Sequence, residues 1–425
     1  MHRKTFIRHS VLIASGALLT PHILRARTKK APVILVVSGW QDVNIGDIAH
    51  TPGLLHVLQT FIPEAKIILW KRSNGKEVEQ MLHNYFPTVK ILYGEVDANK
   101  DVDNPAVKEA FKEADIMIHG SGPSVVGQVN LEAWVKYSDK PFGIYGTTIQ
   151  HVNDSLKTLL KKSSFIYTRE TASLKVLKSA GFSGQHISFA PDATFYMDIH
   201  NDKKAGTFLS QHNLEPQKFI CAIPRLRITP YYKFRPNNAG WTDEKIKQVK
   251  EVNEKKKEID HAKLREAMIA WVRETGNKVL VCPEMTYEVN IMDELLIKPL
   301  PEDVKPHVIK RGYWLPDEAA SIYANAHTVL SFECHSPIIA AANRVPFFYL
   351  RQPEDTIKGQ MYYDLGFNDW VFEIEQTQGS QIAARLREVW NNYDHAKNKV
   401  ASVMRHIDHI YAQGTGFVKK EMERS

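Results

Sequence analysis

From residue 31 onward the hydrophobic positions fall in short, nearly continuous runs separated by amphipathic stretches: PVILVVS, AKIILW, VKILYG, ADIMIHG, PFGIYG, SFIYTRE and HISFAPD. Runs of this length, rich in β-branched residues and alternating with helix-length segments, predict strand and helix in repetition. Strands that are apolar on both faces must be covered on both faces, so a mostly parallel sheet with helices on each side is expected. A polar break with no clear period falls around residues 198–215. The alternation then resumes with KFICAIP, NKVLVCPE, PHVIKRGY, HTVLSFE and VPFFYLR, and the last forty residues are helical by pattern. The fold class predicted is α/β, with two Rossmann-like domains facing across a cleft. Their boundaries are placed at 31–205 and 206–425, after a segment of residues 1–30 that stands apart.

Two stretches of the second half break the simple alternation. The segment that begins TDEKIKQVKEVNEKKKEID is charged all round for most of its length and reads as a solvated helix, not a nucleic-acid tract. The stretch RLRITPYYKFRPNNAGW, residues 225–241, is rich in Tyr, Arg and Asn and reads as a long loop.

Composition changes this picture in three ways. The chain has 425 residues, 43% hydrophobic and 24% charged, which suits two globular domains. The net charge of +7 is carried by the first thirty residues, where Arg3, Lys4, Arg8, Arg25, Arg27, Lys29 and Lys30 stand without an acid. The remaining body is neutral, so nothing in it calls for a nucleic-acid partner. That same segment runs from a basic start through the apolar VLIASGALL to Pro21 and small or basic residues, the shape of a signal peptide. Its apolar run is far short of the roughly 20 residues a membrane span needs, so the expectation is an exported, periplasmic or secreted protein with no stable membrane span. Arg3-Lys4-x-Phe6-Ile7 also resembles a degraded twin-arginine signal. Three cysteines, Cys221, Cys282 and Cys334, make no disulfide framework, and no Cys-x-x-Cys or His-Glu-x-x-His spacing occurs. No metal and no cofactor are expected.

Candidate chemistry gathers where strands end. Asn44-x-Gly46-Asp47 follows the first strand and opens a helix: glycine permits close approach, the helix N-terminus favours an anion, and Asp47 either caps the helix or binds a sugar hydroxyl. Gly120, Ser121 and Gly122 form a small-residue loop of the kind that turns N–H groups toward a phosphate or carboxylate, or simply makes a tight turn. Arg169 and Asp192 each close a strand, as do Arg225, Arg227 and Glu284 in the second half. The junction SFECHSPIIAAANRVPFFYLR then places Glu333 two residues before His335 at a helix start.

Taken in order, several of these stretches resemble the polysaccharide pyruvyltransferase family. They are Asn44-x-Gly46-Asp47, the loop at 120–122, Arg169-Glu170 with Ser173, Leu177 and Gly181, Pro191-Asp192, Ser331-x-x-x-His335 running to Val345-Pro346, and Lys358 with Leu365-Gly366. The resemblance covers most of residues 33–370. It implies two Rossmann-like domains in a GT-B-like arrangement and transfer of the pyruvyl group of phosphoenolpyruvate to a glycan sugar as a ketal, with no metal essential to the chemistry. It makes Arg169 and Lys358 the cations that meet phosphate or carboxylate, with Arg225 and Arg227 behind them. His335 suits the acid or base role, against the alternative of a packed structural histidine.

One departure matters. The family's pattern near His335 resembles Ser-x-Arg-Leu-His, and aligned on Ser331 and His335 this chain has Glu333 where the arginine falls. Like charges about 4 Å apart cost on the order of 4 kcal/mol at an effective dielectric near 20, so Glu333 is expected to repel an anionic donor. Two other readings follow. In one, Glu333 is the acid of an exported glycan hydrolase or lyase, partnered by Asp47, Asp192 or Glu284. In the other the chain is a non-catalytic glycan binder lined by aromatics such as Tyr231, Tyr232 and Trp241. The plain alternative is that Glu333 caps its helix or pairs with Arg344.

Overall fold

The computed structural model describes residues 31–234 and 240–424, so the segment read as a signal peptide and five residues of the aromatic loop lie outside it. The first sheet is built from β1 (Val33–Ser38), β2 (Lys66–Lys71), β3 (Lys90–Leu92), β4 (Ile116–His119), β5 (Phe142–Thr147), β6 (Phe165–Thr168) and β7 (Ile187–Phe189). Between them run α1 (Ile45–Phe61), α2 (Lys76–Tyr85), α3 (Pro105–Glu113), α4 (Gln128–Tyr137), α5 (Asp154–Leu160) and α6 (Thr171–Ser179). After α7 (Asp202–Gln211) the second sheet takes β8 (Phe219–Ile223), β9 (Lys278–Val281), β10 (Val308–Lys310), β11 (Thr328–Ser331), β12 (Phe347–Arg351) and β13 (Val371–Glu373). Its helices are α8 (Asp243–Thr275), α9 (Pro316–Asn325), α10 (His335–Ala342), α11 (Gln360–Asp364), α12 (Gly379–Asn391) and α13 (Tyr393–Arg424).

Both sheets are parallel throughout. Their strand orders are β3-β2-β1-β4-β5-β6-β7 and β10-β9-β8-β11-β12-β13, the same doubly wound plan used twice. In each the chain reverses its direction of travel at a switch point, between β1 and β4 and between β8 and β11. Ile34 of β1 sits opposite Ile67 of β2 and Ile116 of β4, so the middle of the central strand meets apolar neighbours, with Lys66, Lys71 and His119 paired toward its ends. One apolar cluster runs from Ile34 and Leu54 of the first lobe to Ile220, Leu330 and Tyr411 of the second region, and a separate one covers the other face of the first sheet.

The charged segment is indeed one helix, α8, with Thr242 accepting from the Lys245 amide at its start and Gly276 at φ 68° closing it. The polar break is not structureless: it holds α7, whose only buried residue is Ala205, too narrow an apolar stripe to show a period. Its place is fixed by polar contacts, Ser321 Oγ to Asp202 at 2.8 Å and Asn201 Nδ2 to Asp317 at 3.1 Å. Within the aromatic loop Tyr231–Lys233 form a short 3₁₀ turn, while Arg225 and Arg227 at its start are buried. The final helix returns to the first lobe: the Tyr411 hydroxyl donates to the Asp192 carbonyl at 2.7 Å, and Gly414 lies where a methyl would sit 3.1 Å from Tyr145 and Tyr167. All three cysteines are buried and unpaired. Among the described residues no helix is long and apolar enough to cross a membrane.

Candidate active site

Connections leaving the carboxyl ends of the two sheets meet one another, and every candidate residue lies on one of them. On the first lobe, Asn44 caps α1 by accepting from the Gly46 and Asp47 amides at 2.6 and 3.3 Å. Gly46, His50 and Gly53 then share one face of α1 at helical spacing. A methyl on Gly46 would lie 2.2 Å from the His335 ring, and one on Gly53 would lie 2.1 Å from the Ala193 carbonyl. Glycine is needed at both positions, and His50 is fully buried between those two close approaches. Its Nδ1 lies 2.9 Å from Asp192 Oδ1, and Asp47 Oδ1 lies 3.8 Å from its Nε2.

Asp192 is the hub of this lobe. Besides His50 it accepts from the Thr194 amide at 3.0 Å and from Arg169 Nη1 at 2.6 Å. Burial alone would raise its carboxyl, but His50 and Arg169 outweigh that and hold it well below the usual range. Arg169 Nε in turn donates to Thr148, which donates to Glu170 at 2.9 Å. The 120–122 loop lies behind this turn and braces it. Ser121 Oγ accepts from the Ala193 amide at 3.0 Å, the Gly120 carbonyl from Thr147, and the Gly122 carbonyl from the Thr148 amide.

The second lobe meets the first through backbone. The Ile45 amide donates to the Glu284 carbonyl at 2.9 Å and the Thr286 amide to the Val43 carbonyl at 3.0 Å. The Glu284 side chain supplies the α10 cap: Oε2 accepts from the Ser336 amide at 2.6 Å, the Ser336 hydroxyl at 2.8 Å and the His335 amide at 3.1 Å. Its Oε1 lies 3.2 Å from His335 Nδ1. Burial raises the Glu284 carboxyl to about 7 despite the Ser336 donors, and burial with the neighbouring His50 lowers the His335 imidazole to about 3. His335 is therefore neutral at physiological pH. Its ring meets His50 edge-on, centroids 4.8 Å apart at 87°, and the Nε2 atoms of both rings are buried without a hydrogen-bond partner.

Glu333 corrects an expectation. It is not a bare negative charge, because Arg225 Nε lies 3.0 Å from its Oε1, although the N–H is not aimed well enough for a hydrogen bond. Arg225 also pairs with Asp355 and contacts Gln352 at 3.3 Å, and Lys358 Nζ lies 3.5 Å from Asp355. Burial raises the Glu333 carboxyl, with Arg225 pulling the other way. Nor does Glu333 cap α10 or pair with Arg344: Glu284 holds the helix start, and Arg344 is exposed beyond its far end. A guanidinium does stand beside the family's arginine position, and it comes from the strand next door. Arg227, the other arginine of that stretch, is bound by both oxygens of Asp260 at 2.8 and 2.9 Å.

The sequence-derived candidates thus form two joined groups. Gly46, Asp47, Arg169, Asp192, Glu284 and His335 surround the two histidine rings, and Arg225, Glu333, Asp355 and Lys358 form an ionic cluster beside them. Sequence reasoning missed His50 and Glu288. The signal for His50 was its position three residues after Asp47 and four after Gly46 on one helical face; Glu288, which accepts from the Glu284 and Met285 amides at 2.7 and 3.1 Å, had none. His50, Asp192 and His335 offer ligand atoms within 4.8 Å of one another, a spacing a metal ion could bridge. Both Asp192 oxygens are already committed, however, one of them to a guanidinium that an entering cation would have to displace, so the trio is better disposed to move protons.

Three comparisons bear on this arrangement. The family model for polysaccharide pyruvyl transferase matches residues 44–352. No curated protein matches the sequence. Solved structures match in fold. A glycosyltransferase from Rickettsia africae has a TM-score of 0.58 at 12% identity, covering 93% of this chain and 99% of that one. Anabaena HepE in complex with UDP-glucose has 0.56 at 10% identity, covering 92% and 98%. The UDP-GlcNAc 2-epimerase from Neisseria meningitidis bound to UDP-GlcNAc has 0.54 at 12% identity, covering 91% and 100%. The GT-B-like architecture expected from the sequence is shared with these structures.

Two predictions follow from the geometry. Gly46→Ala forces the His335 ring off its Glu284 partner and costs on the order of 1–3 kcal/mol of stability, read from chemical denaturation. Glu284 has a folded-state pKa near 7 against 4.5 for the free group, so its contribution is complete below about pH 4.5 and is lost as pH rises through about 7. The stability of wild type relative to Glu284→Gln should fall by roughly 3 kcal/mol over that window, measured by denaturation at both ends of it.

Proposed function

Because the chain belongs to the polysaccharide pyruvyl transferase family, we propose that it moves the pyruvyl group of phosphoenolpyruvate onto two hydroxyls of one glycan sugar, forming a ketal and releasing phosphate. The observation that carries this reading is the setting of His335: a neutral imidazole held at Nδ1 by Glu284, with Nε2 buried and free of any hydrogen-bond partner. A ketal synthesis needs such a group to take a proton from an attacking hydroxyl. Arg225 and Lys358 stand on neighbouring connections of the same lobe, where they offer the leaving phosphate opposite charge. Arg169 fixes the Asp192 carboxylate on the facing lobe.

The acid-rich surroundings bear on how an anionic donor is accepted. Burial raises the carboxyls of Glu284, Glu288 and Glu333, so each resists ionising. Arg169, Arg225 and Lys358 stand among these acids, each beside an aspartate, Asp192 or Asp355. Glu333 then serves to orient Arg225 while leaving the donor's phosphate a partner.

The basic-then-apolar start of the chain supports an enzyme that works outside the cytoplasm; fractionation that finds the full-length chain only in the cytoplasm would remove that part of the reading. The decisive assay incubates the protein with acidic oligosaccharides, with and without phosphoenolpyruvate, and follows phosphate release and chain length together. Donor-dependent phosphate release without shortening of the glycan is expected, with His335→Asn lowering the rate by about 100-fold or more. Shortening of the glycan without donor would instead establish the hydrolase or lyase reading, and binding without either would establish the non-catalytic one.

A further inference from the structure

We propose that His50 is a second catalytic residue of this reaction, passing one of its two protons from the lobe opposite His335; the proposal rests on the transfer reading above.

The two histidines are held alike. Asp192 binds the Nδ1 of His50 at 2.9 Å, as Glu284 binds the Nδ1 of His335 at 3.2 Å. An ionised carboxylate can only accept, so the ring nitrogen facing Asp192 carries the proton and His50 Nε2 presents its lone pair. That atom is buried and has no hydrogen-bond partner, as is His335 Nε2. An unpartnered buried ring nitrogen is costly unless something fills the place beside it. Here two such nitrogens belong to rings from opposite lobes that meet edge-on, centroids 4.8 Å apart, with His335 Nε2 3.9 Å from the Asp192 carboxylate that holds His50. Asp47, 3.8 Å from His50 Nε2, is placed to hold a sugar hydroxyl there.

The balance of the reaction calls for two relays. Both acceptor hydroxyl oxygens form bonds to C2 of the donor, and the C2–O bond to phosphate breaks, its electron pair leaving with the phosphate. Of the two hydroxyl protons released, one ends on C3, turning the methylene into a methyl group, and the other ends on the phosphate. His335 lies with Arg225 and Lys358 on the lobe that meets the phosphate, so it passes the proton that leaves with that group. His50, on the other lobe, takes the other hydroxyl proton at Nε2 and delivers it to C3. Asp192 stabilises the imidazolium that forms in between, and each histidine ends the cycle as it began.

The test separates proton transfer from positioning. In His50→Asn the side-chain amide takes the place of Nδ1 and still donates to Asp192, while nothing remains at Nε2. With phosphoenolpyruvate and acidic oligosaccharides, the expected result is a fall in kcat of about 100-fold or more with the donor KM within about threefold of wild type. His335→Asn is run beside it, and melting midpoints are recorded for both. If His50→Asn melts early, His50→Gln is scored in its place. A His50 variant that folds normally and turns over within about fivefold of wild type, while His335→Asn is inactive, overturns the role of His50 and leaves the transfer reading standing. A wild-type protein that releases no phosphate from the donor overturns the transfer reading and this inference together.

Discussion

The interaction on which the rest depends is the grip of Glu284 on both lobes. Its backbone carbonyl takes the Ile45 amide at the start of α1, and its side chain takes the amides and hydroxyl at the start of α10. One residue therefore ties the switch point of the first sheet to that of the second. Because a helix N-terminus carries partial positive charge and unpaired N–H groups, the Glu284 side chain is held at the start of α10 even though burial raises its carboxyl to about 7. The histidine ring of α10 is consequently pressed onto α1 so closely that only Gly46 fits beneath it. Without that grip His335 would lose its fixed partner.

The second organising constraint is charge compensation in a closed space. Arg169, Arg225 and Lys358 are ringed by carboxyl groups, and none of these cations stands alone. Removing one member of a buried pair leaves the other without compensation, which is more costly than the pair is stabilising. The exchange at position 333 is read in the same way. An acid that would be disruptive by itself is matched by an arginine entering from the adjacent strand β8, so what matters to a ligand is the pair and its neighbours.

Much of the fold was legible because burial writes itself directly into strand composition. The central strands are apolar on both faces and so could only belong to covered parallel sheets, and α8 announced its ends through Thr242 and Gly276. Less was legible where position depends on polar partners distant in sequence. The helix α7 is held by Asp317 and Ser321, more than a hundred residues onward, and shows almost no apolar face. The site divides along the same line. Residues at strand ends could be picked out one by one, but the pairing of Arg225 with Glu333 and the convergence of His50 on His335 are products of tertiary placement. His50 in particular sits in the middle of a helix, where a histidine carries no punctuation to mark it.

The final helix has a consequence for how the chain is made. Tyr411 secures the carbonyl of Asp192 across 219 positions of sequence. Synthesis proceeds from the N-terminus, so the first lobe emerges complete in its strands yet still lacks the side chain that fastens its most important turn. The nascent polypeptide can assemble a sheet early, but the Asp192 turn is fastened only once nearly the whole message has been translated.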